Sequence, residues 1–360
     1  MKVLVLRSSF NPGGAEVLLL NLFNFPQHKI TFFYILMKES DLISQLDSNT
    51  NKHYEYLRKK AIDLRVIVKT YKLIKKENIQ NIHTHQLIEL IYALIIKAFI
   101  PRINVYHSIH GVFNLNWYIM LEKILIKLTK KTFTVSESTK KTLVKMGYPE
   151  KKIHILYNAV NTPSELSEED KILFYKKIEF IENNFIIGMV GNFVPEKDQL
   201  TLIKAFNLIS NTHPNAKLIF IGKESQQEIK CKEFVFNNHI KNIYFLGSIQ
   251  NANKYLQLFN VFVLSSKSET FSIALFEAIL AKVPVIASDL PVFQELSANG
   301  RYFTLFRTGD EEDLAGLLDR YLIDILDSKF IDKLDLTYNY ARSNFGYDLY
   351  IDKLFHYYSN

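Results

Sequence analysis

The chain has 360 residues, 48% of them hydrophobic and 22% charged, with twelve glycines and nine prolines, which suits two globular domains and excludes a disordered or low-complexity polypeptide. The lone cysteine, Cys231, excludes an internal disulfide or a cysteine metal cluster and fits a reducing compartment. Residues 1–160 hold 24 Lys and Arg against 11 Asp and Glu, a net of +13, whereas the rest carries a net of −6.

That asymmetry also suggests two domains. An anionic membrane surface or an anionic substrate is the expected partner of the basic half, with solvated helix faces as the plain alternative. Nucleic acid is not expected, because no basic motif interleaved with aromatics occurs and the charge is spread over many helices. The opening Met1-Lys2-Val3-Leu4-Val5-Leu6-Arg7 is too short an apolar run for a signal peptide and reads as a first strand.

Ser8 to Gly14 reads as a loop ending Pro12-Gly13-Gly14, with a helix over 15–25 after it. Strand, glycine loop and helix is how a doubly wound fold brings backbone to a phosphate. The loop is neither GxGxxG nor a Walker motif, and a plain tight turn explains the glycines equally well. A strand at 30–36 and basic amphipathic helices between about 55 and 77 follow. Strands at 79–84 and 103–109 end at His83-Thr84-His85 and His110-Gly111. Three histidines at equivalent strand ends favour a site, centred on His110. They lack metalloprotease spacing and a neighbouring carboxylate, so no metal site is expected.

The most apolar helix, 87–99, contains Glu89 and Lys97 and falls short of a bilayer span, so a cytoplasmic protein is expected, peripheral to the membrane at most. A helix over 117–130, a strand at 132–135, a helix capped by Ser136 and ended by Gly147, and a strand at 153–156 close the first half. After a polar linker and a charged helix, a second βα series runs through strands at 185–190, 217–221, 243–246, 261–264, 283–287 and about 301–305. Helices are expected at 199–209, 226–236, 251–259, 272–281 and 310–326, and a helical, aromatic tail at 330–358 that periodicity does not place. Two doubly wound domains in series imply a cleft between their sheet edges.

The series is organised around Val261 to Val292, a strand, a polar turn, a helix and a second strand. Glu269 lies in the turn, and Glu277 lies in the helix with seven residues between them. The amides of Thr270, Phe271 and Ser272 open a helix N-terminus, which suits an anion. An anion over amides with two carboxylates beside it suggests a ligand with both phosphate and hydroxyls, such as a nucleotide sugar.

These motifs resemble those of the retaining glycosyltransferases of the GT-B fold, family 4 type. They come in that family's order over nearly the whole chain: Gly13-Gly14-Ala15-Glu16, His110-Gly111, Val135-Ser136-Glu137-Ser138, Asn158, Val190-Gly191-Asn192-Phe193-Val194-Pro195-Glu196-Lys197, Phe220-Ile221-Gly222, Phe245-Leu246-Gly247, Glu269 to Glu277 and Pro284-Val285-Ile286-Ala287. The implied fold is α/β, with two Rossmann-like doubly wound domains facing a central cleft. The implied division is 1–161 for the acceptor and 162–344 for the donor, with a final helix, about 345–360, packing back on the first domain. The implied reaction moves a sugar from a nucleotide-diphosphate sugar, with UDP as the expected nucleotide, to a glycan or lipid-linked acceptor, with no cofactor.

In this resemblance Lys197 neutralises the donor diphosphate and Glu277 holds the ribose hydroxyls. Glu269 contacts the donor sugar, and His110 stands at the reacting face. Gly14, Gly222, Asn192 and the amides of Thr270, Phe271 and Ser272 line the donor, and Phe245 lies where the base stacks. Four departures stand out: Asn192 where an arginine is usual, Thr270 and Ser272 in place of two glycines, Lys282-Val283-Pro284 for the usual Gly-Lys-Pro, and Ala159 for a glycine. Because Thr270 does not readily hold a positive φ, the turn is expected to stay in ordinary backbone space. No Asp-x-Asp occurs in the chain, so a metal-bridged diphosphate is not expected. The competing readings are a nucleotide-sugar 2-epimerase on the same fold and a non-enzymatic two-lobed binding protein.

Overall fold

A computed structural model describes residues 1–10, 13–46, 52–111, 116–324 and 328–360. The chain divides into two compact units, Met1–Ala159 with Phe345–Asn360, and Val160–Asn344.

The first unit is built on β1 (Lys2–Arg7), α1 (Gly14–Asn24), β2 (Thr31–Leu36), β3 (Lys52–Glu55), α2 (Leu64–Glu77), β4 (Asn81–Thr84), α3 (Leu87–Phe99), β5 (Asn104–Ile109), α4 (Asn116–Leu125), β6 (Lys131–Thr134), α5 (Glu137–Lys145) and β7 (Ile153–Ile155). Its seven strands are parallel in the order β3-β2-β1-β4-β5-β6-β7. Helices cover both faces of such a sheet, so its inner strands are continuous apolar runs. Strand β1 is buried from Val3 to Arg7, and β2 from Phe32 to Leu36. The sheet edge differs. Strand β3 is polar and mostly exposed, which is why hydrophobic periodicity gave no sign of it.

A single helix, α2, replaces the several expected between 55 and 77. The Asp63 carboxylate accepts from the Arg65 amide at its start, and Asn78, at φ 54°, ends it. The Ser136 cap on α5 accepts from the Thr139 amide, and Gly147 leaves the helix at φ 87°, as the sequence implied.

The second unit contains α6 (Glu168–Lys177), β8 (Phe185–Val190), α7 (Gln199–Ile209), β9 (Ala216–Ile221), α8 (Gln226–Asn237), β10 (Ile243–Phe245), β11 (Val261–Leu264), α9 (Ile273–Leu280), β12 (Val285–Ser288), α10 (Pro291–Leu296), β13 (Thr304–Phe306), α11 (Glu311–Asp324) and α12 (Ser328–Phe345). Its six strands are parallel in the order β10-β9-β8-β11-β12-β13. The order reverses beside β8, the switch point where doubly wound sheets take ligands.

Two local expectations change. The segment Ala252–Leu258 is a 3₁₀ helix and not an α-helix, and α10, whose Pro291 opens it, carries too few residues to show a period. The final helix α13 (Tyr347–Ser359) belongs to the first unit. Its Tyr347 hydroxyl donates to the Leu18 carbonyl at 3.0 Å, and Tyr350, Ile351, Leu354 and Tyr358 are buried.

Gly188 shows how tightly β8 is packed: a Cβ there would stand 2.1 Å from the Phe259 ring. Gly188→Ala is expected to cost about 1–3 kcal/mol of stability, read as a lower urea midpoint with an unchanged slope. An unchanged midpoint would mean that Phe259 moves aside freely.

Candidate active site

The second unit gathers most of the candidate residues at the carboxyl edge of its sheet. Strand β8 leads into Gly191 and a 3₁₀ turn, Pro195–Lys197. Gly191 and Gly222 meet backbone to backbone, since a Cβ on Gly222 would stand 2.0 Å from the Gly191 carbonyl oxygen. Only glycine permits that approach. The Gly191 amide donates to Ile221 and the Gly222 amide to Gly247, both at 2.9 Å, so three strand-end turns lock together. The Lys197 side chain lies over Gly191, with its Cε 3.6 Å from where a Cβ would be.

Lys197 Nζ meets Glu269 Oε1 at 2.5 Å, across 72 residues of sequence. Ser266 Oγ donates to the same oxygen at 3.0 Å. Around this pair the β8 and β11 turns are laced together. Ser265 Oγ donates to the Asp198 carbonyl at 2.9 Å, the Lys267 amide to the Glu196 carbonyl at 2.7 Å, and Lys267 Nζ pairs with Asp198 at 2.9 Å.

Glu277 lies in the second turn of α9, buried, and Asn253 Nδ2 donates to its Oε1 at 3.1 Å. Burial pushes its carboxyl up to about 7, and the Asn253 hydrogen bond opposes that rise. Near neutrality this group is poised between acid and carboxylate.

The turn before α9 departs from ordinary backbone. Ser272 sits at φ 76°, ψ 98°, where a side chain is strained, and its buried hydroxyl has no hydrogen-bond partner. The expectation placed the conformational difficulty at Thr270. The strain falls two residues later, at the second position where the family usually has glycine, because the chain must turn sharply to start α9.

The other candidates sit close by with their side chains engaged. Asn192 Oδ1 accepts from the Lys223 amide at 3.2 Å and so braces the turn. Phe271 is buried and stacks on Phe276 with centroids 4.9 Å apart. Phe245 packs against Phe220 and Phe193 with centroids 5.4 and 5.8 Å away, and Lys232 Nζ lies 5.3 Å over its ring.

Gly14 and His110 belong to the first unit. Gly14 opens α1 and is exposed. His110 follows β5, and its Nε2 lies 2.8 Å from His85 Nδ1, with the rings stacked at 5.1 Å. His85 stacks in turn on His83 at 4.5 Å. His83 is held by the Tyr358 hydroxyl at 2.5 Å and by Ser108 Oγ at 2.8 Å. Burial, with Arg7 and His107 adding to it, pushes His110 down to about 3, and His83 and His85 are also lowered, chiefly by burial. All three rings are therefore neutral at pH 7.

Beneath them, buried Glu89 accepts from the Ser8 and His85 amides at 2.7 Å and the Gln86 amide at 3.0 Å, and stands 3.6 Å from Arg7 Nη1. Arg7 also pairs with Glu16.

Comparison with known proteins decides the family. A model described as Glycosyltransferase Family 4 matches residues 12–163, and one described as Glycosyl transferases group 1 matches residues 170–334. The chain belongs to the GT-B glycosyltransferases. Among curated relatives, the capsular polysaccharide biosynthesis glycosyltransferase CapM of Staphylococcus aureus is 26% identical over 57% of this chain and 55% of CapM. The UDP-Gal:alpha-D-GlcNAc-diphosphoundecaprenol alpha-1,3-galactosyltransferase of Escherichia coli is 27% identical over 63% of this chain and 62% of that enzyme. The chain thus spans little more than half the length of these relatives. In fold it is similar to Anabaena HepE, with a TM-score of 0.83 at 18% identity, covering 100% of this chain and 99% of HepE.

Within this glycosyltransferase fold, the structure joins Lys197 to Glu269 and His85 to His110. It also supplies partners that sequence reasoning did not name. Asn253 and Ser266 hold the two glutamates, and no local pattern marks either. Glu89 and Arg7 stood out only as charges in apolar runs, which was the available signal for buried pairing.

Two tests follow from this geometry. Ser272→Gly is expected to raise stability by about 1 kcal/mol, since positive φ strains the serine by roughly 1–3 kcal/mol and glycine returns part of that as unfolded-state entropy. Ser272→Ala keeps the strained backbone, so an equal gain with alanine would refute the account. The histidines give the second. Unfolding restores them toward 6.5, so below that pH the unfolded chain binds protons that the folded chain does not, and stability falls. Going from pH 7.5 to 5.5 should cost on the order of 1 kcal/mol per histidine; a flat urea midpoint over that range would contradict a neutral buried cluster.

Proposed function

We propose that this chain transfers a sugar from a UDP-sugar to a hydroxyl of a bacterial cell-surface or lipid-linked glycan, with retention at the anomeric carbon. The observation that carries the reading is the convergence at one sheet edge of a cation, a helix N-terminus and a buried carboxylate. Lys197 stands over the Gly191 turn, α9 opens at Ser272, and Glu277 lies one turn inside α9. A diphosphate needs the first two, and a ribose diol needs the third.

In the proposed reaction the bond between the anomeric carbon and the phosphate oxygen breaks, and its electron pair leaves with the diphosphate. Lys197 and the amides of Thr270, Phe271 and Ser272 stabilise that charge. The acceptor oxygen bonds to the anomeric carbon and its proton passes to the departing phosphate. No Asp-x-Asp motif occurs in the sequence, so these groups of the second unit are assigned the diphosphate charge without a metal ion. Glu269 shares Lys197 in the free protein, and a donor that draws Lys197 to its phosphates releases the Glu269 carboxylate to sugar hydroxyls. His110, neutral at pH 7, is suited to hydrogen-bond a sugar hydroxyl. Phe245 and Gly222 line the base end of the donor, and Asn192 acts through the turn it braces.

Support for the nucleotide and the acceptor class comes from relatives. HepE has been solved with UDP and with UDP-glucose, and the Escherichia coli relative takes UDP-galactose to a diphosphoundecaprenol acceptor. The basic first half suits such an acceptor at an anionic membrane surface.

A thermal-shift screen against UDP, GDP, ADP and CMP, with and without EDTA, tests the donor. UDP is expected to raise the midpoint regardless of EDTA, and Lys197→Ala and Glu277→Ala are expected to abolish the rise. UDP binding should tighten from pH 6 to pH 8 as Glu277 ionises, and Glu277→Gln should lose most of that dependence. Lys197→Ala is expected to slow transfer by about 10²–10³-fold. No shift with any nucleotide would sink the reading.

A further inference from the structure

Helix α4 is apolar on both sides: Ile119, Leu125 and the following Ile126 pack inward against the core. Its carboxylate points inward: Glu122 is buried, accepts from the Tyr148 hydroxyl at 2.7 Å and faces His107 Nε2 at 3.4 Å. Its opposite face is apolar. Trp117, Met120, Ile124 and Leu128 recur at intervals of three and four residues through α4 and the 3₁₀ turn after it, and so form one stripe. They are 53–63% exposed. Exposed Lys127 and Lys130 flank the stripe, and Glu122, turned inward, is the one acid in residues 116–130.

A large apolar stripe kept in water needs a partner. We infer that the outer face of α4 lies in the surface of an anionic lipid bilayer, with Trp117, Met120, Ile124 and Leu128 among the acyl chains and Lys127 and Lys130 at the headgroups. The tryptophan, the aliphatic stripe, the flanking lysines and the lack of an outward acid are the features of a helix lying in the membrane plane. A second copy of the chain is a poorer fit. A stable dimer takes about 800 Å² and 20–30 residues from each partner, more than one helix stripe supplies. Among the described residues no helix is long and apolar enough to cross a membrane, so the contact is a surface one.

The place matters as much as the chemistry. The Leu87 amide donates to the Tyr118 hydroxyl at 3.1 Å, which ties the start of α4 to the chain just beyond His85. The stripe therefore begins at the same sheet edge as the histidines. A lipid-linked acceptor held in the bilayer would present its sugar at that edge; this last step rests on the proposed transfer reaction, whereas the membrane contact itself does not. The charge excess of residues 1–160 implicates the basic half as a whole; the apolar stripe narrows the contact to α4.

Trp117 is the chain's one tryptophan, so its emission reports on this face directly. With vesicles of phosphatidylglycerol in phosphatidylcholine, the emission should shift to the blue and be quenched by brominated acyl chains. Phosphatidylcholine alone should give a much smaller response. Met120→Gln/Ile124→Gln/Leu128→Gln should weaken vesicle flotation by about tenfold or more, and Lys127→Glu/Lys130→Glu should remove the preference for anionic lipid. Unchanged emission with vesicles would overturn the inference. So would a blue shift that grows with protein concentration in their absence, which would point to a second copy. The UDP midpoint shift, measured on the same variants, keeps the two readings apart: if it persists while vesicles leave Trp117 unmoved, the membrane face falls and sugar transfer stands.

Discussion

The second unit depends on a contact between two turns that are far apart in sequence. Lys197 and Glu269 meet at 2.5 Å because β8 and β11 are hydrogen-bonded neighbours in a parallel sheet. In such a sheet every strand hands its chain to the same edge, so turns after neighbouring strands are brought side by side. The glycine contact between Gly191 and Gly222 then brings the β8 and β9 turns close enough to share hydrogen bonds, and Asp198, Lys267 and Ser265 lace the β8 turn to the β11 turn. The Glu269 carboxylate thereby holds the Lys197 ammonium beside the Gly191 turn.

The first unit solves a different problem, that of polar groups at a buried sheet edge. Glu89, fully buried in the apolar helix α3, is tolerable because it accepts three backbone amides from two loops and stands beside Arg7. It thereby fixes the start of the β1 loop against the end of β4. The histidines extend this network across the edge by stacking and hydrogen bonding, and Tyr358, from the other end of the chain, closes it through His83. The return of α13 to the first unit thus anchors the terminal helix by a polar contact as well as by its apolar face.

Helix α4 keeps an inward apolar side, through Ile119 and Leu125, but its outward side is apolar as well. Its inward Glu122 is held by Tyr148 beside His107, and its outward stripe is left to solvent. The same sheet edge carries the histidine cluster and the beginning of the apolar stripe.

Much of the fold was legible in the sequence. Apolar runs such as Val3 to Leu6 and Val261 to Leu264 mark buried parallel strands, and Ser136 with Gly147 bounds a helix, because burial on both faces and end-capping are written in neighbouring residues. Polar β3, the 3₁₀ segment at 252–258 and short α10 were not legible, since an edge strand has no buried period and one or two turns show none. The candidate residues could be named from motif order, but their relations could not. The pairing of Lys197 with Glu269, the Asn253 hydrogen bond to Glu277, the strain at Ser272 and the inward turn of Glu122 are contacts between distant segments or consequences of how segments meet. Composition and period determined which elements form; only the packing of those elements decided which charges are paired, which carboxyl is buried and which helix face is left bare.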